Sequence, residues 1–80
     1  MASRRVKFTY SPTLIPEPVI YELGRQFPVV TNIRRADVRE TMGWVILELT
    51  GEDSDIDRGL AWVRSKGVRV DPAGGDVVEG

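Results

Sequence analysis

From Arg4 to Tyr10 the apolar Val6, Phe8 and Tyr10 alternate with Lys7 and Thr9, the period of two that gives a strand one buried face. Ser11-Pro12 stops that strand. Pro16 and Pro18 stand where the first turn of a helix tolerates a missing N–H, so a helix is predicted to start near Pro16. Ile15, Val19, Ile20, Leu23 and Phe27 recur at three- and four-residue spacing and form its apolar stripe. Gly24 weakens this helix by roughly 1 kcal/mol relative to alanine, which predicts a close neighbour at that point. Pro28 ends the helix. Val29 to Arg39 then reads as a strand whose phase changes: Val29, Thr31 and Ile33 share one parity, Ala36 and Val38 the other. A one-residue bulge around Arg34–Arg35 accounts for the switch.

Glu40-Thr41-Met42-Gly43 is a hairpin connection, and Trp44–Thr50 returns as a strand with Val45, Leu47 and Leu49 toward the core. Acids in Gly51-Glu52-Asp53-Ser54 suit the first turn of a second helix, and Ser54 stands at capping-box spacing from Asp57. Ile56, Leu60 and Val63 make its stripe, with Trp62 at the rim and Gly67 as the residue after its end. Val68–Asp71 is a short fourth strand stopped by Pro72. The order βαββαβ, with right-handed crossovers, gives an α+β ferredoxin-like plait: a four-stranded antiparallel sheet carrying both helices on one face. The first and third strands are central, the second and fourth are edges. The other sheet face is left open, displaying Lys7, Asn32, Arg34, Trp44 and Ile46. Residues 1–72 form one domain, and 73–80, with three glycines in eight residues, read as a flexible C-terminal tail.

Composition narrows the chemistry. The 80 residues contain no cysteine and no histidine, which removes disulfides, thiol nucleophiles, imidazole bases and His-containing zinc sites. Net charge is −1, so the general basic field of nonspecific nucleic-acid binding is missing. That charge is unevenly spread: residues 1–39 carry seven Lys/Arg against three acids, and 40–80 carry four against nine. No stretch has the ~18 apolar residues of a membrane span and no signal-peptide pattern opens the chain, so a cytoplasmic protein with no direct membrane insertion is expected.

Because the plait hosts many functions, each must be argued from residues. The first loop, Ser11-Pro12-Thr13-Leu14, has neither the Cys-x-x-Cys of a metal carrier nor the Gly and Arg of an acylphosphatase-type anion cradle. The acids at 52–57 lack the calcium-loop order. RNA recognition would need paired aromatics on the central strands, and only Trp44 is there. The expectation is therefore a protein that is not an enzyme, with no cofactor, no metal and no nucleic-acid partner. Asn32 is out of place in a strand by intrinsic preference, so its amide is either solvated at an edge or satisfies a partner. Arg34, Arg35 and Arg39 on an edge also discourage edge-to-edge aggregation. Trp44 beside Ile46 makes a candidate apolar interface on the open face.

Three segments, Thr31-Asn32-Ile33-Arg34-Arg35-Ala36, Gly43-Trp44-Val45-Ile46-Leu47-Glu48-Leu49-Thr50-Gly51 and Ala61-Trp62-Val63 with Gly67-Val68-Arg69-Val70, resemble the NIL domain, named for an Asn-Ile-Leu motif. The similarity spans residues 4–72. NIL domains occur at the C-terminus of methionine-import ABC ATPases, beside ferredoxin modules, and free-standing. The resemblance implies the same plait, a homodimer, a transporter or ferredoxin component as partner, and a small-molecule ligand of the amino-acid type, possibly methionine-like. It places ligand contact at Asn32, with Ile33 adjoining and Arg34 where the family has an apolar residue. A guanidinium there either pairs with a ligand carboxylate or excludes a thioether side chain. The expected role is small-molecule sensing and regulation. The alternative is a protein-interaction adaptor that uses its edge strand or open face and binds no metabolite.

Overall fold

A computed structural model describes residues 1–14 and 17–73. The chain forms β1 (Ala2–Tyr10), a 3-10 turn (Pro12–Leu14), α1 (Val19–Gln26), β2 (Val30–Val38), β3 (Gly43–Gly51), α2 (Asp53–Ser65) and β4 (Arg69–Pro72). The sheet order is β2-β3-β1-β4 with every neighbouring pair antiparallel. This is the ferredoxin-like order expected from the sequence, with β1 and β3 central. Strict alternation in β1 and β3 turns Val6, Phe8, Tyr10, Val45, Leu47 and Leu49 onto one face. There they meet Val19 and Leu23 of α1 and Ile56, Leu60 and Val63 of α2 in a single core. Trp62 lies at its rim, half-buried, with its ring 6.1 Å from that of Phe27.

Several local expectations shift. The first helix starts at Val19, with Pro18 as its N-cap residue; Pro16 and Ile15 lie outside the described residues. Pro18 has a fixed φ and no N–H to donate, so the regular turn begins only after it. The Ser54/Asp57 capping box does not form. The second helix begins at Asp53, its N-cap is Glu52, and no side chain caps it. Asp57 instead joins Asp53 in holding Arg4 of β1, at 2.7 and 3.0 Å, which ties the helix start to the sheet. The fourth strand runs Arg69–Pro72, one residue later than expected. Pro72 is tolerated because β4 is an edge strand and loses no ladder bond on its outer side. Gly67 has φ 97° and ends α2 as the sequence indicated, in the left-handed region that costs glycine nothing. The tail expected at 73–80 lies, beyond Ala73, outside the described residues.

Gly24 has no tight neighbour. An added Cβ would sit 3.7 Å from the Val29 carbonyl oxygen and 3.9 Å from Thr31 Cγ2, which is ordinary contact. The close helix approach is at Gly59, where a Cβ would come within 2.8 Å of Leu23 Cδ1. Gly24→Ala should therefore raise stability, by up to about 1 kcal/mol from helix propensity, read as a higher urea midpoint at unchanged m-value. A second expectation concerns alkali. Burial raises the Tyr10 hydroxyl from 10.0 to about 12. The raised value means that the stabilisation is complete below about pH 10, where the unfolded chain starts to ionise, and is lost as pH climbs through about 12. Tyr10→Phe should flatten the loss of stability across that window.

Candidate functional site

β2 departs from the other long strands. In β3 residues alternate strictly between buried and half-buried, whereas every residue of β2 except Thr31 and Asp37 is exposed. Its partner β3 lies on one side only. Register sorts its side chains by face, because directly opposed residues of an antiparallel pair share a face. Thr31 opposes Leu49, Ile33 opposes Leu47, Ala36 opposes Val45 and Val38 opposes Gly43, all on the helix side. Val30, Asn32, Arg35 and Asp37 oppose Thr50, Glu48, Ile46 and Trp44 on the open side. The register slips between Ile33 and Arg35, leaving Arg34 as the extra residue of a bulge.

This geometry splits the predicted ligand contacts. Asn32 is on the open face and Ile33 on the helix-side face, while Arg34 occupies the bulge between them and Arg35. Of these three, register places only Asn32 on the open side, where Arg35 joins it beyond the bulge. Of the residues expected on the open face, Lys7, Asn32, Trp44 and Ile46 lie there by register, and Arg35 takes the place opposite Ile46 that was expected of Arg34.

The open face is laid out in rows. Across one row run Arg5, Glu48 and Asn32; across the next run Lys7, Ile46 and Arg35. Trp44 follows along β3, with Lys7 Nζ 5.2 Å and the Arg35 guanidinium carbon 6.0 Å from its ring centroid. The Trp44/Ile46 pair is thus half-buried, partly capped by cations from both flanking strands. Within the sheet, the bare apolar side chains are on β2 itself: Val30, Ile33 and Val38 are 67%, 55% and 53% exposed.

Charge completes the picture. Among the described residues, Arg39 pairs with Asp37 and Arg69 with Asp71, but no carboxylate lies within 4.0 Å of Arg34 or Arg35, and no cation within 4.0 Å of Glu48. Arg34, Arg35 and Glu48 therefore carry no ion pair among the described residues, with Glu48 directly opposite Asn32 by register and Arg35 one row on, over the Trp44 ring. Sequence reasoning singled out Asn32 and Arg34 and passed over Glu48. The signal for Glu48 was its place on the outward parity of β3, which becomes meaningful only once register sets it opposite Asn32.

A shallow cavity of about 80 Å³ lies elsewhere, between the first turn of α1 and the end of α2, with Glu17, Glu22, Trp62 and Lys66 in its wall. Among the described residues no group of three or more side chains is arranged to hold a metal ion, and no helix is long and apolar enough to cross a membrane.

The comparisons with known proteins bear on this arrangement. The C-terminal domain of an ABC transporter ATP-binding protein from Enterococcus faecalis superposes with a TM-score of 0.77 at 17% identity, over 89% of this chain and 83% of that one. At that identity the likeness speaks for the plait alone. No curated protein matches the sequence. The NIL domain family pattern matches residues 4–72, which takes in both helices, the whole of the bulged edge and all of the sheet but the first two residues of β1. The chain belongs to the NIL domain family.

Proposed function

We propose that the protein is a non-enzymatic regulatory domain that binds a small molecule of the amino-acid type at the open side of β2. One observation carries the reading: by register Glu48 stands directly opposite Asn32 and Arg35 follows on the same face, and neither has an ion-pair partner among the described residues. A zwitterionic amino acid presents a carboxylate and an ammonium group on the same carbon. Arg34 and Arg35 suit the carboxylate, by the fork geometry that matches guanidinium to two oxygens. Glu48, directly opposite Asn32, suits the ammonium. The amide of Asn32 donates to the first and accepts from the second, using both halves of its hydrogen-bonding capacity. The apolar third position of the family motif is here Arg34, so the ligand side chain is not specified as a thioether.

Two copies would pair isologously through the exposed β2 edge beside the Trp44/Ile46 face, since two-fold dimers are the commonest closed assembly. By analogy with the ABC transporter ATP-binding protein whose C-terminal domain shares the plait, the proposed place of action is beside a transporter. A thermal-shift screen with free amino acids tests the reading: at 100 times its Kd, a ligand stabilises by about 2.7 kcal/mol. Amino acids should raise the melting temperature where their N-acetyl and amide derivatives do not. Equal shifts with the blocked compounds would contradict the zwitterion site.

A further inference from the structure

The open face carries more positive charge than a simple zwitterion uses. By register Arg5 and Lys7 of β1 lie on it together with Arg35 and Glu48. Its other described acids, Asp37 and Asp71, are held by Arg39 and Arg69 at 3.1 and 2.9 Å. Among the described residues no carboxylate lies within 4.0 Å of Arg5, Lys7 or Arg35. Two of these cations are also drawn together. Lys7 Nζ and the Arg35 guanidinium carbon stand 5.2 and 6.0 Å from the Trp44 ring centroid, reaching in from strands on opposite sides of β3. Attraction to the ring holds each of them, but it does not remove the repulsion between them. Arg5 adds to the excess: its Nε is buried and has no hydrogen-bond partner among the described residues. That guanidinium is partly stripped of water without being neutralised.

We propose that the ligand of this face is an acidic amino acid, aspartate or glutamate, whose side-chain carboxylate is held by Arg5 and Lys7 on β1. The inference rests on the zwitterion reading and deepens it. With the ammonium at Glu48 and the main-chain carboxylate toward β2, the ligand side chain extends across β3, past Ile46, to β1. The backbones of β1 and β2 are two strand spacings apart, about 10 Å. Long cationic side chains leaning inward from both strands bring their charges to the two ends of one small molecule.

Charge decides the class. A neutral amino acid occupies Glu48 and the β2 cations and leaves Arg5 and Lys7 as they were. A second carboxylate brings net negative charge to a face with a cation excess, and it supplies the acceptors that the Arg5 guanidinium lacks. An apolar side chain laid along the same path meets Ile46 but then desolvates Lys7 and Arg5 with nothing in return.

The test is calorimetric titration of the full chain with glutamate and aspartate, against glutamine, asparagine and methionine. An acid should bind roughly tenfold more tightly than its own amide, the worth of a hydrogen bond to a charged group, and added salt should narrow that margin. Lys7→Gln and Arg5→Gln should each shrink the margin, Lys7→Arg should keep it, and Asn32→Ala should weaken acid and amide alike. The unliganded melting temperature of each variant checks its fold. Glutamine and methionine binding as tightly as glutamate, with Asn32→Ala still weakening all three, would overturn the acidic side chain and leave the zwitterion site standing. Glutarate binding as tightly as glutamate, unaffected by Glu48→Gln, would instead sink the zwitterion reading while supporting Arg5 and Lys7 as a carboxylate site. A margin untouched by both β1 variants, or binding of none of these compounds, would also overturn the proposal.

Discussion

Phe8→Ala should lower the unfolding free energy by about 3–5 kcal/mol, the range for truncating a buried phenylalanine. Phe8 is fully buried in the central strand β1 and meets Tyr10 edge-to-face with ring centroids 6.5 Å apart. On one side of it in the sheet is Val45 of β3 and on the other Val70 of β4. These contacts disappear with the ring, and the nine-pair ladder between β1 and β3 keeps the strands from collapsing into the gap. A domain of this size has only about 5–15 kcal/mol to lose, so the variant should be partly unfolded at room temperature. Urea denaturation followed by tryptophan fluorescence reads the change. An unaltered midpoint would mean that the helices do not pack on this face of β1.

Asn32→Ala carries the other large effect, on binding. A hydrogen bond lost in a desolvated site costs about 1–3 kcal/mol, more than fivefold in affinity. The amide is exposed in the free protein, so the unliganded melting temperature should hardly move while the amino-acid-induced shift largely disappears. The flanking charges separate the ends of the ligand. Glu48→Gln should weaken amino acids but spare simple carboxylates, because it removes only the partner of the ammonium. Arg34→Leu, which gives the family's apolar third position, discriminates between the two roles left open by the sequence. Tighter binding of methionine would mark the guanidinium as a block, and weaker binding of all amino acids would mark it as the carboxylate partner. Calorimetric titration of parent and variants measures both.

The plait was legible because its signals are local. Alternation in Val6, Phe8 and Tyr10, the stripe Ile56, Leu60 and Val63, and the parity change across Arg34–Arg35 each survive in the structure as β1, α2 and the β2 bulge. What depended on contacts between elements was not legible. The tight helix crossing at Gly59, and not Gly24, follows from where Leu23 reaches across the interface. The failed Ser54/Asp57 box follows from Arg4 taking Asp53 and Asp57 from a strand about fifty residues away.

The candidate site was half visible. Asn32 stood out because asparagine is depleted in strands, and Arg34 because it replaces an apolar motif residue. Grouping Ile33 with them treated neighbours in sequence as neighbours in space, and a strand turns neighbours to opposite faces. The parity switch already implied that Arg35 faces the same side as Asn32 beyond the bulge. Glu48 needed the register itself.

The central claim, a zwitterion site around Asn32, is tested most directly by two-dimensional amide NMR of the protein during titration with a free amino acid that stabilises it. The side-chain amide of Asn32 and the backbone amides of β2 and Glu48 should shift together with one dissociation constant, and the guanidinium signals of Arg34 or Arg35 should slow in exchange. Shifts confined to the cavity between α1 and α2, around Trp62 and Lys66, with β2 unmoved, would contradict the account.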